Sequence, residues 1–503
     1  MLLISSLSNN VRRLSLRQAI FGIGLLKCIS VKLNEKWAAI TTRLVNARRK
    51  KVRWIRSFLY KFNLVRVLSL GKHTDIPQRN IALGYLIYSI IGFLLLLLPF
   101  SHKISCGPLN DLFTAVSALS TTGLTTVEMS RTYTVFGQLV ILALIQIGGM
   151  GYMTLSSYIF YRLTHHCAKV SNDILSTSVA APSGMSIRTL MSNIVLFTFI
   201  FESIGFILLY IFLLPTGVER PMWDAFFLSI SSFCTAGFSP IEGSLCSLRT
   251  NIPINIVIAM LSYAGGMGFI VVTDCLQKLR DRSHKVTFTT KVILFVTSLL
   301  TLIGTISVAV STYIYSDGVG DCILTSFFQT MSAMTTVGFN TIDLSELNLF
   351  TILIITLVMF IGASPSGTGG GVKSTSVSAI YAFVKSQMRP HSGVTICGRK
   401  LPYYRIDSAL TNLVLYSCIL GVGILFLSIT EPQPLHSLLF EAASALGTVG
   451  LSLGITSSLT AAGKLIIIAL MYIGRIGVIT FTAALIYKIK ASDCKPKADD
   501  LAI

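Results

Sequence analysis

Long apolar runs alternate with short polar connectors along the chain, and the long runs come in pairs. Ile81–Phe100 holds no charge and matches the roughly 20 residues a helix needs to cross a bilayer. Leu190–Leu214, Val292–Ile314 and Leu410–Thr430 read the same way as leading spans. Each has a follower: Val135–Phe160, Ile252–Cys275, Leu349–Phe383 (interrupted) and Lys464–Tyr487. Between the members of a pair lies a shorter apolar stretch, such as Asp224–Phe233, that cannot reach across hydrocarbon. The pattern predicts an all-α integral membrane protein, with eight transmembrane helices and four re-entrant pore helices. These form four span–pore-loop–span repeats around one central pore, over 81–163, 188–278, 288–388 and 406–490. Residues 1–80 precede them as a basic extension, and 491–503 follow as a tail.

The repeats are explicit in the residues. FTAVSALSTTGLT from Phe113, FLSISSFCTAGFS from Phe227, FQTMSAMTTVGFN from Phe328 and FEAASALGTVGLS from Phe440 align without gaps. Each places Phe ten, Ser six and Thr two residues before a glycine, with Leu or Phe directly after it. One such glycine alone reads best as a tight turn between packed helices; four in register point to a shared centre. Non-helical backbone at membrane depth is tolerated only where it is packed in protein or lines water. A short helix ending at such a loop directs its negative dipole end inward, which favours a cation. Rings of main-chain carbonyls can replace the water shell of an alkali ion. The expected selectivity-filter positions are therefore Thr121, Thr122 and Gly123; Thr235, Ala236 and Gly237; Thr336, Val337 and Gly338; and Thr448, Val449 and Gly450. Potassium would bind there at backbone oxygens, with no side-chain metal site and no resident cofactor.

The follower spans carry glycines of their own: QIGGMG from Gln146, YAGGMG from Tyr263, FIGASPSG from Phe360 and YIGRIG from Tyr472. In the first two copies close helix packing is the expected use of small residues. The third copy puts Gly362, Pro365, Gly367, Gly369, Gly370 and Gly371 mid-span. Glycine costs about 1 kcal/mol and proline about 3 in a helix, so this is the one span expected to break. The segment 362–372 is a candidate gate beneath the filter, with Lys373 beside it. GTGGGVKS within it only superficially resembles a phosphate loop, because Val372 stands where glycine must precede the lysine. Arg475 lies mid-span in the fourth copy, where a charge normally faces a cavity or a partner. It is read as a positive charge working with that loop; the alternative is a structural ion pair, with Glu202 the nearest candidate in kind.

Charge sets the orientation. Residues 1–80 hold 17 of the 41 Lys and Arg against only Glu35 and Asp75. Beside a run of spans this is a cytoplasmic segment facing anionic lipid, not a nucleic-acid surface. Ala19–Val31 and Arg56–Leu70 are expected to lie in the membrane surface. The connectors 161–189, 276–291, 385–407 and 488–497 carry seventeen bases, whereas the opposite ones carry only Lys103, Arg131, Arg220, Arg249 and Lys464. Both termini are therefore expected in the cytoplasm. Eleven acids in the outer connectors, among them Asp111, Glu128, Asp224, Glu242, Asp317, Asp321, Asp343 and Glu346, would concentrate cations at the mouth.

Composition agrees: across 503 residues only 12% are charged, 52% are hydrophobic and mean hydropathy is +0.73. A soluble enzyme, a disordered chain and a disulfide scaffold are excluded. The ten cysteines form no CxxC pair and no zinc spacing with histidine; His165, His166 and Cys167 read as a solvated turn, and Cys106, Cys246 and Cys322 as outer-loop residues. No GxSxG nucleophile elbow, HExxH motif or carboxylate cluster appears in a plausible site, so no enzyme is expected.

Over about residues 80–490 these features together resemble the Trk/Ktr/HKT superfamily of potassium transporters, closest to KtrB-type membrane subunits. The resemblance rests on the four filter glycines, GASPSGTGGGVKS and GRIG. It implies potassium uptake through a gated filter, with Gly362–Gly371 as the intramembrane loop and Arg475 as the pore arginine. It also implies a homodimer in the lipid bilayer of a bacterial inner (plasma) membrane, on a cytosolic RCK-type nucleotide-binding ring. Sodium serves as a coupling or activating ion in some members. Relatives with serine at the first filter position tend to prefer sodium; Gly123 favours potassium here. The alternatives are a sodium or sodium-coupled transporter of the same superfamily, a non-conducting pump subunit, and an organic-solute carrier. The last would show two related halves rather than four.

Overall fold

The computed structural model describes residues 77–151, 187–314, 319–365, 367–388, 393–396 and 398–486. The basic extension with its two surface-helix segments, His165–Cys167 and the tail from 491 lie outside the described residues. Among the described residues the helices of nine residues or more are α1 (Pro77–Leu96), α2 (Pro108–Leu119), α3 (Val135–Gly149), α4 (Ile187–Leu213), α5 (Pro221–Phe233), α6 (Ile252–Arg280) and α7 (Phe288–Ile314). They continue with α8 (Val319–Thr335), α9 (Leu349–Phe360), α10 (Ser374–Gln387), α11 (Tyr403–Thr430), α12 (Leu435–Gly447), α13 (Ala461–Ile476) and α14 (Val478–Ile486). One two-residue hairpin, pairing Thr395 with Lys400, interrupts the wholly helical expectation in the basic connector before α11, where Gly398 turns at φ 77°.

Among the described residues five helices are long and apolar enough to cross a membrane, α1, α4, α6, α7 and α11; α13 and α14 make a sixth as a pair bent by 100°. The leading spans face outward. Only 17–33% of the apolar window of α1, α4, α7 and α11 is buried, against 61% for α6, a follower long enough to cross in spite of its kink at Gly268. Val414, Val422, Leu425, Phe426 and Ile429 of α11 are exposed, an apolar face suited to lipid rather than water.

The short helices α2, α5, α8 and α12 follow the leading spans, as expected. Proline opens α2 and α5, where its missing N–H costs nothing and its fixed φ suits the first helical position. Each follower span then begins on a satisfied cap: Thr134, Asn251, Asn348 and Thr460 accept hydrogen bonds from Gly137, Ile254, Thr351 and Gly463 amides. Cys322, expected in an outer loop, is instead a buried residue of α8.

The follower spans are held by their glycines. A Cβ on Gly148, Gly265 or Gly474 would overlap the carbonyl of Leu119, Phe233 or Leu446, each four residues before the filter-position glycine of its own repeat. The next residue turns to the following repeat: Gly149 packs on Cys234 and Gly266 on Thr335. The pair of small residues thus joins one short helix to the next.

The expectation of a single broken span is corrected. Gly151, Gly268, Gly371 and Gly477 all have positive φ, at 75°, 79°, 73° and 90°; Gly151 and Gly477 follow helix ends, Gly268 kinks α6, and Gly371 lies in the loop before α10. A right-handed helix cannot pass through that region, and only glycine adopts it without steric cost. In the third repeat the break widens to the loop between α9 and α10, so Gly362 meets the Gly370 carbonyl and Gly371 rather than a short-helix end.

Gly148→Ala should destabilise the protein by about 1–3 kcal/mol, because the methyl falls on a carbonyl. Gly421→Ala on α11, where an added Cβ meets nothing within 4 Å, should be neutral or stabilising. Thermal unfolding in detergent separates the two, and equal midpoints would contradict the packing described.

Candidate ion-conduction site

All four short helices end in the same way. Thr121, Thr235, Thr336 and Thr448 have φ of 51°, 51°, 58° and 49°, the left-handed region that β-branched residues avoid. Each donates its amide to the carbonyl three residues back, while the next residue donates to the carbonyl five back, that of Ser117, Ser231, Ser332 or Ser444. This is the Schellman helix end, with threonine where glycine is usual. A strained conformer of this kind costs about 1–3 kcal/mol and persists only where its surroundings over-determine it.

The repeated serine explains part of that. Ser117 and Ser444 hydroxyls accept from the Gly123 and Gly450 amides at 3.1 and 3.0 Å. Ser231 and Ser332 donate instead to the carbonyls of Phe238 and Phe339, at 2.8 and 2.7 Å. The repeated phenylalanines Phe113, Phe227, Phe328 and Phe440 are buried behind the ribbons.

The four ribbons meet. A Cβ built on Gly123 would lie 3.2 Å from the Cα of Gly237; on Gly237, 3.2 Å from that of Gly338; on Gly338, 3.0 Å from that of Gly450; and on Gly450, 3.1 Å from that of Gly123. The order closes on itself. The same added atoms would collide with the carbonyls of Ala236, Val337, Val449 and Thr122 in turn. Twelve expected filter positions are therefore brought together as four backbone segments with no room for side chains at the glycines. Convergent peptide groups at four short-helix C-termini can hold a dehydrated monovalent cation.

The loop 362–371 lies against the threonine side of this ring. Gly369 abuts Thr335 and Thr336, Gly370 abuts Gly447 and Thr448, and the Thr368 hydroxyl is 2.8 Å from that of Thr235. The Thr368 amide donates to the Gly265 carbonyl at 3.1 Å, and the Ser364 amide to that of Gly266 at 3.2 Å. Lys373 folds back onto the Gly369 carbonyl at 2.5 Å. Arg475 donates to the carbonyls of Thr368 and Gly148, bridging the loop of repeat 3 to repeat 1. It stands where repeats 1 and 2 have their second small residue, at the seam between the last and first repeats. Pro365 and Gly362 open the break and Gly371 closes it, away from these contacts.

Glu202 is not its partner. The carboxylate takes two hydrogen bonds from Gln146 Nε2, at 2.9 and 3.1 Å, behind Cys234. Several acids expected to charge the mouth are also turned inward: Asp111 and Asp224 are buried, while Arg131 pairs with Glu128 and Glu242. In the loop before α9, Asp343 receives the Ser345 hydroxyl and amide, which hold its carboxyl below the usual range.

The family profile described as TrkH, a cation transport protein, matches residues 84–493. The chain belongs to that family. It is 36% identical to the Ktr system potassium uptake protein B of Bacillus subtilis, over 80% of this chain and 92% of that one. It is 32% identical to the protein of the same name from Vibrio alginolyticus, over 80% and 90%. With the potassium/sodium uptake protein NtpJ of Enterococcus hirae it shares 31% identity over 85% and 96%. The crystal structure of TrkH from Vibrio parahaemolyticus shares the fold, with TM-score 0.66 and 21% identity over 82% of this chain and 86% of that one. The resemblance read from the glycine loops is therefore borne out, and a TrkH-family chain is a transport protein, not an enzyme.

Ser444→Ala removes the acceptor of the half-buried Gly450 amide, and a loss of about 1 kcal/mol is expected. Ser428→Ala, exposed on α11, should change stability by no more than about 0.5 kcal/mol. Unfolding in detergent reads the difference.

Proposed function

We propose that this chain takes up potassium across a bacterial inner membrane. The ions would pass through a filter made by the backbone of Thr121–Gly123, Thr235–Gly237, Thr336–Gly338 and Thr448–Gly450. The observation that carries this reading is the closed order of the four glycines, since a shared centre of peptide oxygens suits a dehydrated monovalent ion. The names of the relatives from Bacillus subtilis and Vibrio alginolyticus support potassium as that ion. In this reading α3 and α9–α10 complete the eight spans, α2, α5, α8 and α12 are re-entrant, and both termini are cytoplasmic. The chain works as a homodimer on a cytosolic RCK-type ring.

Gating follows from the same contacts. The loop Gly362–Gly371 closes the conduction path below the threonines, and Arg475 pins it while adding a positive charge that opposes cation flow. Lys373 steadies the loop from behind. A second reading, uptake of sodium or of both ions, draws on the printed name of the Enterococcus hirae relative. Peptide oxygens are common to every residue, so the choice between the two lies in ring dimensions rather than in residue type.

Expression in a potassium-uptake-deficient bacterium should restore rubidium uptake; a well-expressed chain that gives none would refute the proposal. Gly237→Ser should lower potassium-over-sodium preference by about tenfold, because a side chain there must displace the Val337 carbonyl. Deleting Gly367–Gly371 or replacing Arg475 with Ala should raise flux in proteoliposomes. If neither variant differs from the parent, the loop and arginine are not the gate.

A further inference from the structure

Among the described residues one His/Cys/Asp cluster lies outside this site. The connector from α1 into α2 carries His102, Cys106 and Asp111, whose ligating atoms all lie within 4.8 Å of one another. His102 Nε2 is 2.8 Å and Cys106 Sγ 3.2 Å from the same oxygen, Asp111 Oδ1, and the sulfur is 3.7 Å from the imidazole nitrogen. We propose that these three side chains bind a borderline divalent transition metal, zinc above all, with a fourth position left to water.

Bond lengths of about 2.0–2.3 Å to nitrogen, oxygen and sulfur in a tetrahedron put neighbouring ligand atoms about 3.3–3.6 Å apart. The three separations here straddle that range, so a small turn of the carboxylate suffices. The ligand chemistry selects the class of ion. Thiolate and imidazole suit zinc, whereas magnesium and calcium take oxygen ligands.

The arrangement is built in place by its neighbours. His102 forms an antiparallel bridge with Tyr133, and their rings are 5.3 Å apart. The Tyr133 hydroxyl donates to Asp111 Oδ1 at 2.9 Å, the outer-shell contact that orients a ligating carboxylate. Asn110 Nδ2 holds the Cys106 carbonyl at 2.6 Å, and Gly107 at φ 86° turns the chain from the cysteine into α2. Asp111 is 2% exposed. Read as hydrogen bonding alone, the cluster crowds three donors onto one oxygen, one of them a thiol, which is a weak donor. As a ligand set, the same sulfur becomes the strongest member. The metal would tie the connector after α1 to the first turn of α2, the helix that delivers Gly123.

The test uses the full chain in detergent, stripped of metal, with zinc chloride titrated against a chromophoric chelator. Binding of one zinc per chain with Kd below about 1 µM is expected, weakened about 100-fold by Cys106→Ser and by His102→Ala. Cys246→Ser, in the exposed cysteine of another connector, should bind as the parent does. Zinc should also raise the thermal midpoint of the parent but not of Cys106→Ser. Should the site variants fail to fold, alkylation of Cys106 in the Cys246→Ser background decides: zinc, not magnesium, should slow it. Zinc binding that is absent at 1 mM, or unchanged in both folded variants, or alkylation that proceeds equally with either metal, overturns the proposal.

Discussion

The structure turns on a steric rule: at four positions a carbonyl oxygen of one repeat fills the space that a Cβ of the preceding repeat would need. Gly123, Gly237, Gly338 and Gly450 obey it in a cycle, so none can be changed without moving the next ribbon. The surrounding features serve that contact. The threonines accept left-handed backbone, the serines tie each ribbon to its own short helix, and the buried phenylalanines back it. Strain of about 1–3 kcal/mol per threonine is held because these constraints act together.

Symmetry is kept where the ring is made and relaxed around it. Serine hydroxyls accept from the glycine amide in repeats 1 and 4 but donate to a phenylalanine carbonyl in repeats 2 and 3. The follower spans all break at a glycine, yet only the third expands its break into a loop that reaches beneath three of the four threonines. Where the fourth repeat would place a second small residue against the first, Arg475 grips two carbonyls instead. The fourfold frame is thus regular at the ring of glycines and modified in two quadrants beside it.

The acids show how composition can mislead. Their number in the outer connectors suggests a field drawing cations inward, but burial redirects much of it. Glu441 takes Ser452 and Thr456, Glu431 caps α13 through Thr460, and Asp111 joins His102 and Cys106. A carboxylate enclosed by donors does local structural work before it contributes to any distant potential.

Much was legible in order along the chain. The repeat offsets and the paired apolar runs determined the family and, with the composition of 362–371, singled out the four loop glycines and the interrupted segment, because each depends on residue type at fixed spacing. The recurrence of Gly151, Gly268 and Gly477 was equally present as a signal, but a glycine in an apolar run reads the same whether it packs a helix or ends one. Only its φ distinguishes the two. The cluster of His102, Cys106 and Asp111 matched no familiar spacing, and it took the bridge between His102 and Tyr133 to gather it. The partners of Arg475 and Glu202 were likewise decided in three dimensions. Contacts across 327 and 56 residues depend on how the repeats close around one centre, and no local pattern encodes that closure.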